Sequence, residues 1–202
     1  MEKGNTKNEI LNVALDLFST NGYEATSVSQ IADAVGIRKS SLYSHFENKQ
    51  AILDGLIKRV LEEYDKNSMF SKTKRRSDDV IYPITCDDVV CVVKSQLTYI
   101  LHDSFISKSR KMLMIEQFRN KELAILQTKQ NYSDILSYFT DLMTYLKSQR
   151  VLSGDNPEIM AAQFCLPITV WINLCDREPE KEEEVLELVE KHIRQFFKLY
   201  KL

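Results

Sequence analysis

Glycine and proline are scarce in this sequence, at 5 and 4 of 202 residues. Average usage of about 7% and 5% would give roughly 14 and 10. So few backbone breakers argue against sandwiches, barrels, glycine-rich phosphate loops and disordered linkers. Cysteine offers no framework either. Cys86, Cys91, Cys165 and Cys175 show no C-x-x-C spacing, and the three histidines (His45, His102, His192) lie far apart. Neither a zinc site nor a disulfide scaffold is expected, and no cofactor. Free thiols buried in helices are the plain reading of the four cysteines, with redox sensing as the alternative. No run of about 18 apolar residues is present, so no membrane span or membrane partner is expected. The start, MEKGNTKNEI, is polar and lacks an apolar leader segment. A soluble, cytoplasmic protein is the expectation. No nucleophile–base pairing, metal spacing or phosphate loop points to an enzyme.

What is present is a helical pattern. Hydrophobic residues make up 44% and charged residues 28%, enough for a real core and against global disorder. The length suits one to two domains. Thr6 and Glu9 have capping-box spacing, and Ile10, Leu11, Ala14, Leu15, Leu17 and Phe18 recur at helical spacing, predicting a helix over 6–20 that stops at Asn21-Gly22. Ser27 and Gln30 repeat the capping pattern for a helix near 28–35 ended by Gly36. A short helix fits 38–45, and Asn48 can cap a fourth running to about Tyr64.

Residues 66–84 break the periodicity and carry Lys66, Lys72, Lys74, Arg75 and Arg76 before any acid. They read as a linker, either a solvated loop or a segment touching nucleic-acid phosphate. Beyond it, Val89, Val93, Leu97, Ile100, Leu101 and Phe105 predict one helix, and Met112, Met114, Ile115 and Phe118 a short one. A long helix over 121–149 has Tyr132, Ile135, Leu136, Phe139, Leu142, Met143 and Leu146 on one face. Ser153–Pro157 reads as a turn, 158–175 as a nearly all-apolar helix kinked at Pro167, and Pro179 to about Tyr200 as a final helix. The fold class is all-α.

Charge is unevenly distributed. The net charge is −2 and the pI about 6.0, which taken alone argues weakly against a nucleic-acid binder. Residues 176–190, however, hold eight acids and two bases, a net −6, so the other 187 residues carry 25 bases and 21 acids, a net +4.

The positive share includes residues 28–46, VSQIADAVGIRKSSLYSHF. Ala32, Gly36 and Leu42 have the spacing of a helix-turn-helix. Steeply crossed helices need a small contact residue, as Ala32 is, and the tight turn needs a residue tolerant of positive φ, as Gly36 is. Ile31, Val35, Ile37, Leu42 and Phe46 can fill the core with Leu17 and Phe18. The second helix of such a unit lies in the DNA major groove. Its surface would be Arg38, Lys39, Ser40, Ser41, Tyr43, Ser44 and His45, donors suited to phosphates and base edges. Ser27 and Lys49 sit at helix N-termini, where free N–H groups favour phosphate.

Residues 6–65 resemble the DNA-binding domain of the TetR (tetracycline repressor) family of bacterial regulators. The resemblance is carried by ILNVALDLFSTNGYEATSVSQIADAVGIRKSSLYSHFENKQAIL, in particular the LF..NGY.AT phrase, the IA...G turn, SLYSHF and Lys49. It implies an all-helical protein of about nine helices: a helix-turn-helix DNA-binding domain over 1–48, a connecting helix over 49–65, and a ligand-binding and dimerisation domain over 66–202. It implies DNA contacts at Thr26 or Ser27, Arg38, Lys39, Ser40, Tyr43, Ser44, His45 and Lys49, with Tyr43 and Lys49 as phosphate clamps. Two positions depart from the family pattern: residue 40 is often Gly there and is Ser here, and residue 38 is often a small hydroxyl N-cap and is Arg here.

The implied function is a ligand-responsive transcriptional repressor. It would bind a palindromic double-stranded operator as a homodimer and be released by a small apolar or aromatic effector. The alternative is an architectural or cell-division DNA-binding protein of the same fold with a protein partner. Pocket candidates are Tyr99, His102, Phe105, Met112, Met114, Phe118, Tyr138, Met143 and Trp171, each also readable as plain core. Dimer-face candidates are Phe164, Ile168, Ile172, Leu186, Val189, Ile193 and Phe196, each also readable as the core of one subunit.

Overall fold

The structure is a computed structural model that describes residues 3–71 and 82–201. The cluster Lys72, Lys74, Arg75 and Arg76 lies outside the described residues. Among the described residues there is no strand, and one isolated bridge pairs Leu152 with Lys201. Ten α-helical segments follow one another: α1 (Lys3–Asn21), α2 (Val28–Val35), α3 (Lys39–Tyr43), α4 (Lys49–Asn67), α5 (Cys86–His102), α6 (Ser104–Glu116), α7 (Lys121–Thr128), α8 (Asp134–Ser148), α9 (Pro157–Arg177) and α10 (Glu182–Tyr200). A π turn, Lys129–Ser133, joins α7 to α8. Counted as one run over 121–148, these two bring the helices to nine. The fold is all-α, as the sequence indicates.

The chain divides into two compact units. The head unit comprises Met1–Ser68 and Phe105–Gln127; the second comprises Met69–Ser104 and Thr128–Leu202. The head unit thus takes in α4, α6 and α7, beyond the sequence-expected limit at residue 48. Its core holds Ile10, Ala14, Leu15, Phe18, Ile31, Leu42, Ile52, Leu53 and Leu56, together with Met112, Leu113, Leu123 and Leu126 of α6 and α7. In the second unit α9 packs on α8, α10 on α5, and α10 on α9. Phe139, Leu142, Met143, Leu146, Phe164, Cys165, Val189, Ile193 and Phe196 form that core.

Several local expectations are corrected. α1 begins at Lys3, so Thr6 is a buried residue of its second turn and not a cap. Phe105 does not continue α5. Asp103 is extended (φ −65°, ψ 117°) and ends that helix, and a new one starts at Ser104. The long helix over 121–149 is interrupted by the π turn, whose extra residue rotates the faces before and after it. Tyr132, inside the turn, is therefore exposed while Phe139, Leu142, Met143 and Leu146 are buried. The final helix opens with a 3-10 turn, Pro179–Lys181. Cys165 and Cys175 are buried, but Cys91 is exposed and Cys86 half-buried.

α9 contains Pro167 and is long and apolar enough to cross a membrane. It is instead a core helix, burying Met160, Phe164, Cys165, Ile168, Ile172 and Cys175. Its outer side is unusual: Ile159 and Val170 are exposed, 55% and 62%. On α10, Leu199 is 69% exposed.

Candidate nucleic-acid interface

The helix-turn-helix is built by its caps. Ser27 starts α2 with a complete capping box: its Oγ accepts from Gln30 N–H at 3.2 Å, and its own N–H donates to Gln30 Oε1 at 2.7 Å. Gly36 ends α2 at φ 77°. Gly36 N–H donates to Asp33 C=O at 3.1 Å and Ile37 N–H to Ala32 C=O at 3.0 Å, the paired bonds of a Schellman ending. Ala32 and Leu42 are buried at the crossing, and Ile31, Phe46 and Phe18 close the core beneath them. Asn48 caps α4 by accepting from Ala51 N–H at 2.8 Å. Arg38 precedes α3 without any side-chain cap bond. Its guanidinium therefore stays free, where the family's small hydroxyl would be occupied with capping.

This scaffold presents Arg38, Lys39, Ser40, Ser41, Tyr43 and Ser44 to solvent, with Leu42 alone of α3 turned inward. Tyr43 is 45% exposed. Ser44 Oγ donates to Ser41 C=O at 2.7 Å. Among the described residues, Arg38 and Lys39 take part in no ion pair. Ser27 is exposed and His45 half-buried.

Two expected contact residues point elsewhere. Thr26 is 1% exposed, and its hydroxyl donates to Gly22 C=O at 2.8 Å. It shapes the turn before α2. Lys49 is half-buried and reaches back to the same turn. Its Nζ donates to Tyr23 C=O at 2.9 Å and Thr26 C=O at 3.1 Å, and lies 4.2 Å from the centre of the Tyr23 ring. Two of its three N–H donors are spent on the protein's own backbone.

The turn has further supports that the motif did not reveal. Tyr23 Oη donates to Gln50 Oε1 at 3.0 Å. Burial, with Glu24, Asp54 and Glu116 nearby, pushes the Tyr23 phenol above its ordinary pKa, so it remains a donor. Tyr23 N–H donates to Glu116 Oε1 at 2.8 Å. No sequence spacing signals this last bond, which spans 93 positions.

The effector-pocket candidates divide between the two units. Phe105, Met112, Met114 and Phe118 belong to the head unit and Tyr99, His102, Tyr138, Met143 and Trp171 to the second. Met112 and Met143 are fully buried core, whereas Phe118 is 89% exposed, past the end of α6. Tyr99 is exposed, and the exposed His102 pairs with Glu182 at 2.8 Å. Tyr138 belongs to an aromatic cluster, with ring centres 5.4 Å from Phe70 and 5.8 Å from Tyr82. Trp171 packs edge-on to His192. The dimer-face candidates Phe164, Ile168, Ile172, Val189, Ile193 and Phe196 are buried in their own subunit's core, and Leu186 is half-buried beside it. Among the described residues no cluster of His, Cys, Asp or Glu could hold a metal.

Residues 10–56 match the profile of bacterial regulatory proteins of the tetR family. Over that segment the chain is similar to the TetR family. The relatives it matches are regulators. The fatty acid metabolism regulator protein of Bacillus subtilis is 22% identical over 150 residues, 74% of this chain and 70% of that one. The transcriptional repressor KstR2 of Rhodococcus jostii is 39% identical over 61 residues, 30% of either chain. The chain thus matches less than a third of that repressor's length. Among solved TetR-family folds, the complex of SmeT with triclosan superposes with a TM-score of 0.65 at 18% identity, covering 98% of this chain and 92% of that one. SmeT is the repressor of the multidrug efflux pump SmeDEF of Stenotrophomonas maltophilia.

Proposed function

We propose that the chain is a ligand-responsive repressor that binds a palindromic operator as a homodimer and works in the cytoplasm, on the nucleoid. The observation that carries this reading is the exposed face of α3, where Arg38 and Lys39 lack intramolecular partners beside Ser40, Ser41, Tyr43 and Ser44. A cation without a partner is ready for phosphate or a guanine edge. Ser27 adds a hydroxyl at the N-terminus of α2. Thr26 and Lys49 support the turn from below.

The dimer face we assign is the outer side of α9 with the end of α10. Ile159, Gln163, Leu166 and Val170 follow one another at steps of four, three and four, one helical face. Beside them lies a groove of about 450 Å³ lined by Gln163, His192, Gln195, Phe196, Leu199 and Tyr200. Two heads held by such a dimer would read half-sites about 34–36 Å apart, or multiples of that.

The effector would enter the second unit. The aromatic cluster of Phe70, Tyr82, Tyr138 and Phe139 suits an apolar or aromatic body. In the same unit the buried Gln130 Nε2 has no acceptor, a donor that a polar oxygen of a ligand would satisfy. The relatives' names point the same way, to fatty acid metabolism in one case and triclosan binding in another. To move the operator-competent population from 99% to 1%, the effector must prefer the other state by about 5.5 kcal/mol.

Selection of bound fragments from random DNA by the purified protein tests the reading. A palindromic consensus is expected, and no enrichment would overturn it. A thermal-shift screen then separates a repressor, stabilised by some small apolar ligand by RT ln(1+[L]/Kd), from an architectural protein that responds to none.

A further inference from the structure

Glu116 is the last residue of α6 and is 2% exposed. A carboxylate this deeply buried needs compensation. It accepts the N–H of Tyr23 at 2.8 Å. That N–H belongs to the turn after α1. Gly22 in that turn is at φ 83°, and a Cβ there would stand 3.1 Å from Glu116 Oε1. The bare backbone of residue 22 is what lets the carboxylate approach.

The other side of Tyr23 is held by the opposite charge. Its C=O accepts from Lys49 Nζ, which also binds the C=O of Thr26, immediately before the α2 cap Ser27. One residue is therefore clamped between a carboxylate from α6 and an ammonium from the first turn of α4. Both bonds are charge-assisted, the strong kind. α6 has two more ties within the head unit: Lys108 pairs with Asp16, and the Arg59 guanidinium lies 4.7 Å from the Phe105 ring centre.

We propose that Glu116 is a positioning residue for DNA binding, acting through Tyr23 and Lys49 on the helix starts at Ser27 and Asn48. The proposal rests on the reading of α2–α3 as the DNA-reading element. It adds a residue of α6, more than 60 positions beyond the helix-turn-helix, to the determinants of operator affinity. Because the ammonium of Lys49 and the carboxylate of Glu116 hold one residue between them, loss of either releases the other. Their effects on DNA binding are then not additive.

The test is a double-mutant cycle on the full chain, with operator binding followed by fluorescence anisotropy at several salt concentrations. Glu116→Ala is expected to weaken operator binding at least ten-fold. Glu116→Gln, whose amide oxygen still accepts from Tyr23 N–H, should stay within about three-fold of the unmodified protein. Glu116→Asp, a methylene short, should be weakened despite its charge. Glu116→Ala combined with Lys49→Ala should bind no worse than Lys49→Ala alone. Lys108→Ala, which cuts a different α6 tie, should bind normally. Additive losses, or full affinity in a folded Glu116→Ala protein, would overturn the proposal. If Glu116→Ala does not fold, the Gln and Asp variants decide: equal affinity in the two defeats it. Failure of the unmodified protein to bind any selected DNA would count against the DNA-reading face itself.

Discussion

The two units treat their cations differently. In the second unit Lys94, Lys129, Lys181, Lys191 and Arg194 each pair with a carboxylate of the same unit. Arg194 binds both Asp87 and Glu190 and is held more firmly protonated by them, Asp87 contributing most. Glu190, bonded by Lys94 and Arg194, has its pKa lowered in turn. In the head, Arg38 and Lys39 pair with nothing, and Lys49 binds backbone carbonyls. Lys58 and Lys108 of the head also meet carboxylates, Glu62 and Asp16, so the contrast lies at the exposed face of α3, where Arg38 and Lys39 await an outside anion. The near-neutral total conceals that division, which explains why net charge is a poor guide to nucleic-acid binding in a chain with two parts.

Removing charge from each unit is the sharpest way to break this contrast. Replacing Arg38 and Lys39 together by Ala should cost roughly 2–6 kcal/mol of operator binding and, where both meet phosphate, lower the salt slope by about two. Unchanged salt dependence would show that α3 is not the DNA face. In the second unit Gln130→Leu should raise the unfolding free energy by about 1–2 kcal/mol, since it removes a buried donor that has no acceptor. Under the proposed function it also blunts the response to effector; urea unfolding and operator release check the two halves. Gly36→Ala should lower stability by about 1 kcal/mol through backbone strain alone. A Cβ there meets nothing within 4 Å, so a larger loss by calorimetry would mean the turn is constrained in another way. Smallest of all, Arg194→Ala should change stability by no more than about 1 kcal/mol, because its ion pairs are solvent-exposed. It should leave the salt slope of DNA binding untouched.

The head was far more legible than the rest. Ser27 with Gln30, Asn48, Gly22 and Gly36 are local signals: each acts within four residues of itself, so sequence order alone reveals it. Ile31, Leu42 and Phe46 then had one face to fill. Glu116 was invisible because its partner is 93 residues away. The π turn was invisible because one inserted residue leaves a hydrophobic pattern nearly intact on either side. The exposed apolar side of α9 was hard to read for a different reason. α9 is apolar on both sides, and composition ranks Phe164 and Ile168 above Ile159 and Val170 although the first pair is buried and the second exposed. Cys165 likewise reads as reactive or inert only with burial known; burial pushes its thiol up to about 11, so it stays protonated at neutral pH.

Pro167 gives α9 a flaw with a direction. Proline has no N–H, so the carbonyl of Gln163, four residues earlier, loses its usual helical donor. Gln163 also lines the groove on the outer side of the helix. Two copies of the chain meeting there about a two-fold axis would bring two such carbonyls into one contact, and any group that answers one answers both. A related helix with an unbroken hydrogen-bond ladder presents no such acceptor. Under the proposed dimer, the unanswered carbonyl of Gln163 lies where a donor from the partner copy would meet it.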